Sequence, residues 1–115
     1  MKIKYSLSKK EIIKGKKSFE KVLTNGKRFT KGYLKIFVCS GGERKVGFAI
    51  SSKVRKAVVR NRIKRWLREI YRKEKHILKY DVEIIMLIDG FDSKMSYNTL
   101  KEDVLNIFGD INEDI

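Results

Sequence analysis

Arginine and lysine side chains dominate residues 53–75, and their types and spacing fit the binding of phosphate groups. This segment holds 11 of the 28 basic residues and only two acids, which gives it a net charge of +9. Arginine offers planar pairs of N–H donors that match phosphate oxygens, and lysine adds a mobile point charge. A folded element with such a surface is typical of proteins that bind a polyanion.

Apolar residues recur through this segment at helical spacing and predict one long helix over residues 57–75. On the helical wheel, one arc contains Val59, Ile63, Trp66, Leu67 and Ile70. The opposite face contains Asn61, Lys64, Arg65, Arg68 and Arg72, with Arg62 at its edge. Because this face has almost no acids for pairing at i,i+4, we interpret it as a binding surface rather than an ordinary solvated face.

Composition indicates a single domain over residues 1–115 that binds a polyanion. The chain has a net charge of +14 with 42% hydrophobic residues, so we expect it to fold around a modest core. A basic arm covers about residues 1–10, and an acidic end covers about residues 109–115. Cys39 is the lone cysteine, and neither a membrane-spanning run nor a secretory signal is evident. We therefore expect a cytoplasmic protein.

Shorter patterns predict the elements that position this surface. A first helix covers residues 18–24, with Ser18 as its N-cap and a left-handed Gly26 at its end. Strands are predicted at residues 27–30, 33–39 and 45–51, and a hairpin turn at residues 40–43 joins the last two.

After the long helix, residues 81–89 read as a buried central strand, parallel to the strand before the helix. Ser96 can cap a last helix. The order α-β-β-β-α-β-α predicts an α+β two-layer sandwich with its helices against one sheet face.

The segment KAVVRNRIKRWLRE at residues 56–69 resembles the signature of the protein subunit of bacterial ribonuclease P, with its Arg-Asn-Arg core at residues 60–62. The similarity extends over about residues 7–108. It includes FEKVLTNG, the VGFAIS strand before the motif, and MSYNTL at the start of the last helix.

The resemblance implies a protein that does not cut RNA itself. It would bind the catalytic RNA of ribonuclease P and help that RNA remove the 5′ leader of precursor tRNA, in a reaction that depends on Mg²⁺ held mainly by the RNA. It implies a fold that resembles a domain of ribosomal proteins and translation factors. The strand–helix–strand crossover of that fold is left-handed, against the general right-handed rule.

The resemblance also assigns roles to residues. For the catalytic RNA, the matching residues are Lys53, Arg60, Asn61, Arg62, Lys64, Arg65 and Arg68, and the wheel adds Arg72. For the precursor-tRNA leader, the matching residues are Phe19, Leu23, Lys35 and Phe37. Aromatic rings beside a basic groove suit single-stranded RNA, because bases stack on the rings. Ser52, Arg55 and Leu87 depart from the residues common in the family.

Three other functions fit the composition less well. A ribosomal or assembly protein would share the charge and fold type but not the motif. A stand-alone nuclease would need paired carboxylates or a histidine base, whereas Asp89, Asp92, Asp103 and Asp110 are scattered, and we interpret them as solvated. A protein that reads DNA in the major groove would use a short recognition helix and would usually be a dimer, and the sequence indicates neither. We therefore expect RNA partners, and neither DNA nor a membrane.

Overall fold

The computed structural model describes residues 9–114 of the 115-residue chain. Its elements follow the predicted order. They are α1 (Lys16–Asn25), β1 (Lys27–Lys31), β2 (Leu34–Cys39), β3 (Lys45–Ile50), α2 (Ala57–Glu74), β4 (Glu83–Ile88) and α3 (Tyr97–Asp114). Short 3₁₀ turns at Lys9–Glu11 and Lys75–Ile77 precede α1 and follow α2. Most of the predicted basic arm, residues 1–8, lies outside the described residues, whereas α3 runs through the acidic end as far as residue 114.

The strands form one sheet in the order β1-β2-β4-β3. β4 pairs antiparallel with β2 and parallel with β3, so the predicted parallel central strand is confirmed. The hairpin predicted at residues 40–43 is wrong, because β4 lies between the two strands that this turn connects. The physical reason is that β4 is apolar on both faces. Ile84, Ile85 and Met86 are fully buried, and a central position buries both faces of a strand.

Different helices cover the two faces of the sheet. α2 and α3 pack on the face that holds the main core, where Ile36 and Ile84 are fully buried. α1 packs on the other face, where Val22 meets Ile85 in a second, smaller cluster. The α+β sandwich of the sheet with α2 and α3 is confirmed, but the prediction that all helices lie on one face is wrong for α1. Because side chains alternate along a strand, Ile84 and Ile85 serve opposite layers.

Glycines set both ends of α1. The helix begins at Lys16, after Gly15 with φ 87°, so Ser18 lies inside the helix and is not its N-cap. At the other end Gly26 has φ −75°, and the predicted left-handed conformation is wrong. A Cβ there would lie 2.4 Å from the carbonyl oxygen of Val22 and 3.0 Å from a backbone oxygen of β2. Gly26 is therefore needed for the close approach of helix and strand.

The two long helices begin differently. At α3 the predicted cap is confirmed: the Thr99 N–H donates to Ser96 Oγ at 3.2 Å, and the Ser96 N–H donates to Thr99 Oγ1 at 2.9 Å. No side chain among the described residues caps α2 at Lys56, and its first turn carries no acid. Tertiary packing must therefore hold α2 in place. α2 connects the parallel strands β3 and β4, and the left-handed sense of this crossover stays a prediction.

Tyr71 of α2 places a polar atom in the main core. The residue is fully buried, and its ring meets Phe48 edge-on with 6.4 Å between the ring centroids. Among residues 9–114 the hydroxyl has no hydrogen-bond partner. Burial, with a smaller effect from the Glu11 carboxylate, raises the pKa of this hydroxyl well above its ordinary value of 10.0. Tyr71 is therefore neutral at any pH at which the protein works.

We expect Tyr71→Phe to leave the free energy of unfolding unchanged or to raise it by up to about 1 kcal/mol, because it removes a buried polar atom without a partner. Tyr71→Ala should lower it by about 3–5 kcal/mol, because it leaves a large cavity. Urea denaturation followed by circular dichroism measures both changes. A clear loss of stability in Tyr71→Phe would contradict the assignment of the hydroxyl as unpaired.

Candidate nucleic-acid interface

The outer face of α2 displays most of the predicted residues to solvent. Those that are exposed are Arg60, Asn61, Arg62, Lys64, Arg65 and Arg68. The inner side of the helix buries Ile63, Leu67 and Ile70 completely in the main core. Since burial of these three side chains fixes the rotation of the helix about its axis, the basic face must point outward.

Acids do not neutralise the exposed part of this face. Within residues 9–114 no carboxylate forms an ion pair with Arg60, Arg62, Lys64 or Arg65. Like charges three or four residues apart on a helix repel each other by about 0.2–0.5 kcal/mol per pair. The apolar burial on the inner side outweighs that repulsion, and a bound polyanion would relieve it.

The C-terminal end of the same face is engaged within the protein. The Arg68 guanidinium lies 6.0 Å from the centroid of the Phe48 ring, within the range of a cation–π contact. Arg72 is half-buried and donates a hydrogen bond to Glu69, which also lies 3.3 Å from the Lys73 ammonium. The Arg72 hydrogen bond is the main cause that lowers the pKa of Glu69. Arg72 is therefore less available to a partner than the residues nearer the start of α2.

The residues predicted to bind the leader lie on the α1 side of the sheet. Phe19 and Leu23 of α1 pack with Phe37 of β2 in one half-buried apolar cluster around Ile85. The Phe19 ring lies over Gly47, where a Cβ would be 2.8 Å from the ring. The ring is therefore held against the sheet. Because these side chains are only half-buried, the cluster keeps an exposed apolar margin.

Lys35 lies at the edge of this cluster and shares an acid with Lys53. The Lys35 Nζ is 3.0 Å from Asp89 Oδ2, and the Lys53 Nζ is 3.5 Å from Asp89 Oδ1. The hydrogen bond from Lys35 is the main reason that the pKa of Asp89 lies below its ordinary value of 3.8. The sequence pattern indicated a solvated acid at Asp89, but in the structure its carboxylate forms ion pairs with two lysines. Its carboxylate joins a lysine predicted for the leader to a lysine predicted for the catalytic RNA.

Strand pairing adds a basic residue to this surface that the sequence pattern did not predict. Arg28 of β1 lies directly opposite Phe37 of β2, so both side chains are on the α1 side of the sheet. Arg28 is exposed, and it makes no ion pair with any residue that the structure describes. The signal in the sequence was the two-residue turn at Gly32-Tyr33, where Gly32 has φ 59° and sets the register of the two strands.

A concave region on the same side of the sheet also went unpredicted. Its cavity has a volume of about 410 Å³ and is lined by Lys10, Ile12, Ile13, Lys14, Ser18, Lys21, Glu43, Lys45 and Glu83. Lys45 is paired with Glu43 at 3.2 Å. The region is basic on balance, but its acids neutralise part of the charge.

Carboxylates are not grouped as a metal site in the described residues. In the part of the chain from 9 to 114, no three His, Cys, Asp or Glu side chains are placed to hold one ion. Asp89 contacts one lysine of each predicted surface, so both of its oxygens already meet lysine ammonium groups. This carboxylate therefore does not fit a role as a cation ligand.

Comparisons with known proteins place the chain in a family. A family model described as Ribonuclease P matches residues 7–112. The chain is 32% identical over 109 residues to the ribonuclease P protein component of Dictyoglomus turgidum, with 90% of this chain and 91% of that protein covered. It is 34% identical over 97 residues to the ribonuclease P protein component of a Thermoanaerobacter species, with 81% and 84% covered.

Solved structures share the fold. The ribonuclease P protein of Staphylococcus aureus has a TM-score of 0.74 at 25% identity, over 90% of this chain and 92% of that chain. The ribonuclease P protein of Thermotoga maritima has a TM-score of 0.73 at 23% identity, over 85% and 94%, a likeness of fold alone. The match to the family model covers the basic face of α2, the α1-side cluster and the whole sheet, and on this ground the chain belongs to the family of bacterial ribonuclease P protein components.

Proposed function

We propose that this chain binds the catalytic RNA of ribonuclease P through α2 and holds the 5′ leader of precursor tRNA on the α1 side of the sheet. As a ribonuclease P protein component, it is a subunit of an endoribonuclease, a hydrolase of tRNA processing, and its partner is ribonuclease P RNA. The observation that carries the proposal is the exposed face of α2, whose basic side chains from Arg60 to Arg65 lack ion-pair partners within residues 9–114.

The α2 face supports binding to a folded RNA backbone. Arg62 and Arg65 project from a helix whose position the core fixes, so they meet phosphates with little loss of conformational freedom. Each phosphate that they neutralise releases a condensed counterion, which favours association and makes it dependent on salt. Asn61, exposed on the same helix, adds a neutral donor and acceptor for a sugar or a base edge.

The α1 side supports binding to a single strand. Phe37 and Phe19 offer aromatic margins on which bases stack, and Leu23 offers apolar contact without a ring. Arg28 and Lys35 lie on β1 and β2 beside Phe37, where they would meet the phosphates that flank a stacked base. This arrangement of rings between cations suits an unpaired leader better than a duplex.

Catalysis belongs to the RNA in this proposal. Mg²⁺ held mainly by the RNA would activate the water and stabilise charge at the scissile phosphate, which leaves a 5′-phosphate on the mature tRNA. The protein's cations would lower repulsion between the two RNAs and hold the leader in place. No helix within residues 9–114 is long and apolar enough to cross a membrane. We expect the assembly to act in the cytoplasm, without DNA or lipid partners.

Reconstitution tests the proposal. At low Mg²⁺ the protein together with a ribonuclease P RNA should cleave precursor tRNA, while either component alone should be inactive. In the same system Arg62→Ala or Arg65→Ala should weaken binding to the catalytic RNA about tenfold, because a charge-assisted phosphate contact is lost. The slope of log affinity against log salt should flatten by up to about one.

Lys94→Ala is the matched control for that experiment, since Lys94 is also exposed but lies in the loop before α3. It should bind the RNA as the wild type does. Binding without restored cleavage would instead indicate a ribosomal or assembly protein. Cleavage by the protein alone would indicate a stand-alone nuclease.

Phe37→Leu should weaken precursor tRNA binding relative to mature tRNA by roughly fivefold or more, because a base loses its stacking partner at about 1–3 kcal/mol. Leucine retains apolar volume in the cluster, so the fold should survive. Phe29→Leu is the control, since Phe29 is also half-buried but contacts the main core. Equal weakening for precursor and mature tRNA would contradict the leader site.

Asp89→Asn should strengthen precursor tRNA binding by roughly fivefold, because it removes the repulsion between a carboxylate and a nearby phosphate. The control is Asp110→Asn, an exposed acid of α3.

Since the pKa of Asp89 is lowered, its ion pairs stabilise the fold above pH 3.8 and lose this effect as the pH falls through the lowered value. The difference in Tm between wild type and Asp89→Asn should therefore shrink in acid. Unchanged affinity of Asp89→Asn for precursor tRNA at neutral pH would refute the binding prediction.

A further inference from the structure

A groove at the start of α2 lies outside most of the residues assigned above. It is formed where the loop between β3 and α2 meets the loop between β4 and α3. The groove has a volume of about 320 Å³ and is lined by Lys53, Val54, Arg55, Lys56, Val59 and Phe91. Of these, only Lys53 belongs to either predicted surface.

The groove combines an apolar lining with an exposed aromatic ring. Val54 is almost completely buried, and Val59 is half-buried against the main core. Phe91 keeps 38% of its surface exposed at the edge of this apolar lining. An exposed ring above an apolar floor gives a planar partner a surface on which to stack.

The rim of the groove is positively charged, and two of its three cations lack counterions within residues 9–114. Arg55 and Lys56 are exposed, and neither forms an ion pair with any of residues 9–114. The loop that carries them is bonded in place: the Val54 N–H donates to the Ser51 carbonyl at 3.0 Å, and the Lys53 N–H donates to Ser51 Oγ at 3.2 Å. The backbone that leads into Arg55 and Lys56 is therefore fixed at the groove before any partner arrives.

We propose that this groove receives one unpaired nucleotide of the catalytic RNA, with its base stacked on Phe91 and its flanking phosphates bound by Arg55 and Lys56. An aromatic ring beside uncompensated cations matches the chemistry of an unstacked nucleotide. A second copy of this chain is disfavoured as occupant, because each copy carries a net charge of +14.

The groove faces the catalytic RNA rather than the leader because of its place in the fold. Val54 and Val59 pack with the main core on the α2 side of the sheet, and Val59 immediately precedes Arg60 on the basic helix face. The cluster around Phe37 lies on the opposite side. The inference rests on the proposed function and adds to it a base-stacking contact.

Binding of Phe91→Leu and Arg55→Gln to a ribonuclease P RNA tests the inference. Phe91→Leu should lose roughly five- to hundredfold in affinity with an unchanged salt slope, because it removes stacking but no phosphate contact. Phe91→Tyr keeps an aromatic ring and should therefore retain wild-type affinity for the RNA. Arg55→Gln should flatten the slope of log affinity against log salt. The double variant should lose less than the sum of the two changes, since both residues hold one nucleotide. The matched controls, which should bind normally, are Tyr80→Leu, at another exposed aromatic residue, and Lys94→Gln.

A photoreactive phenylalanine at position 91 identifies the occupant directly. Crosslinking to one unpaired nucleotide of the catalytic RNA supports the inference, whereas crosslinking to the leader, to a protein or to a second copy of the chain overturns it. Wild-type affinity of Phe91→Leu overturns it as well. If Arg65→Ala weakens RNA binding while Phe91→Leu does not, only this inference fails; if neither weakens binding, the proposed function fails with it.

Discussion

Burial of β4 on both of its faces is the constraint on which the rest of the structure depends. Ile84 and Met86 enter the core under α2 and α3, while Ile85 enters the cluster under α1. One six-residue strand therefore anchors both layers of helices, and with them the two surfaces that we assign to RNA. Any shift of β4 by one residue would exchange its two faces and displace both surfaces together.

The basic residues of the chain divide into two groups with different uses. Arg44, directly before β3, donates hydrogen bonds to the backbone oxygens of Lys75 and Leu78 and thereby fastens the start of β3 to the 3₁₀ turn that follows α2. Lys75 itself is held by the Glu11 carboxylate at 2.7 Å. Such cations are part of the scaffold. The cations near the start of α2 remain uncompensated, so the net charge understates how strongly charge is concentrated on one side of the molecule.

Local patterns predicted the features that local physics decides. The long helix, its outward face, the Ser96 cap and the apolar strand all followed from periodicity and side-chain chemistry. The order of the strands in the sheet could not be predicted in this way. The Gly41-Gly42 turn can connect two strands that pair with each other, and it can equally connect two strands that have a third strand between them. The ion pairs that Asp89 forms with Lys35 and Lys53 could not be predicted from the sequence either, and neither could the groove beside Phe91. These contacts join loops that are far apart in sequence, and no short segment encodes them.

The insertion of β4 between β2 and β3 also sets the order in which the sheet can be completed. During synthesis at roughly 5–20 residues per second, β2 and β3 are both available for some seconds before β4 is made. The Gly41-Gly42 turn allows them to close on each other as a local hairpin. Such a hairpin would have to open before β4 could enter, and the long loop closed by β3 and β4 adds an entropic barrier. The finished sheet thus excludes the strand pairing that the short connection between β2 and β3 would allow before β4 is made.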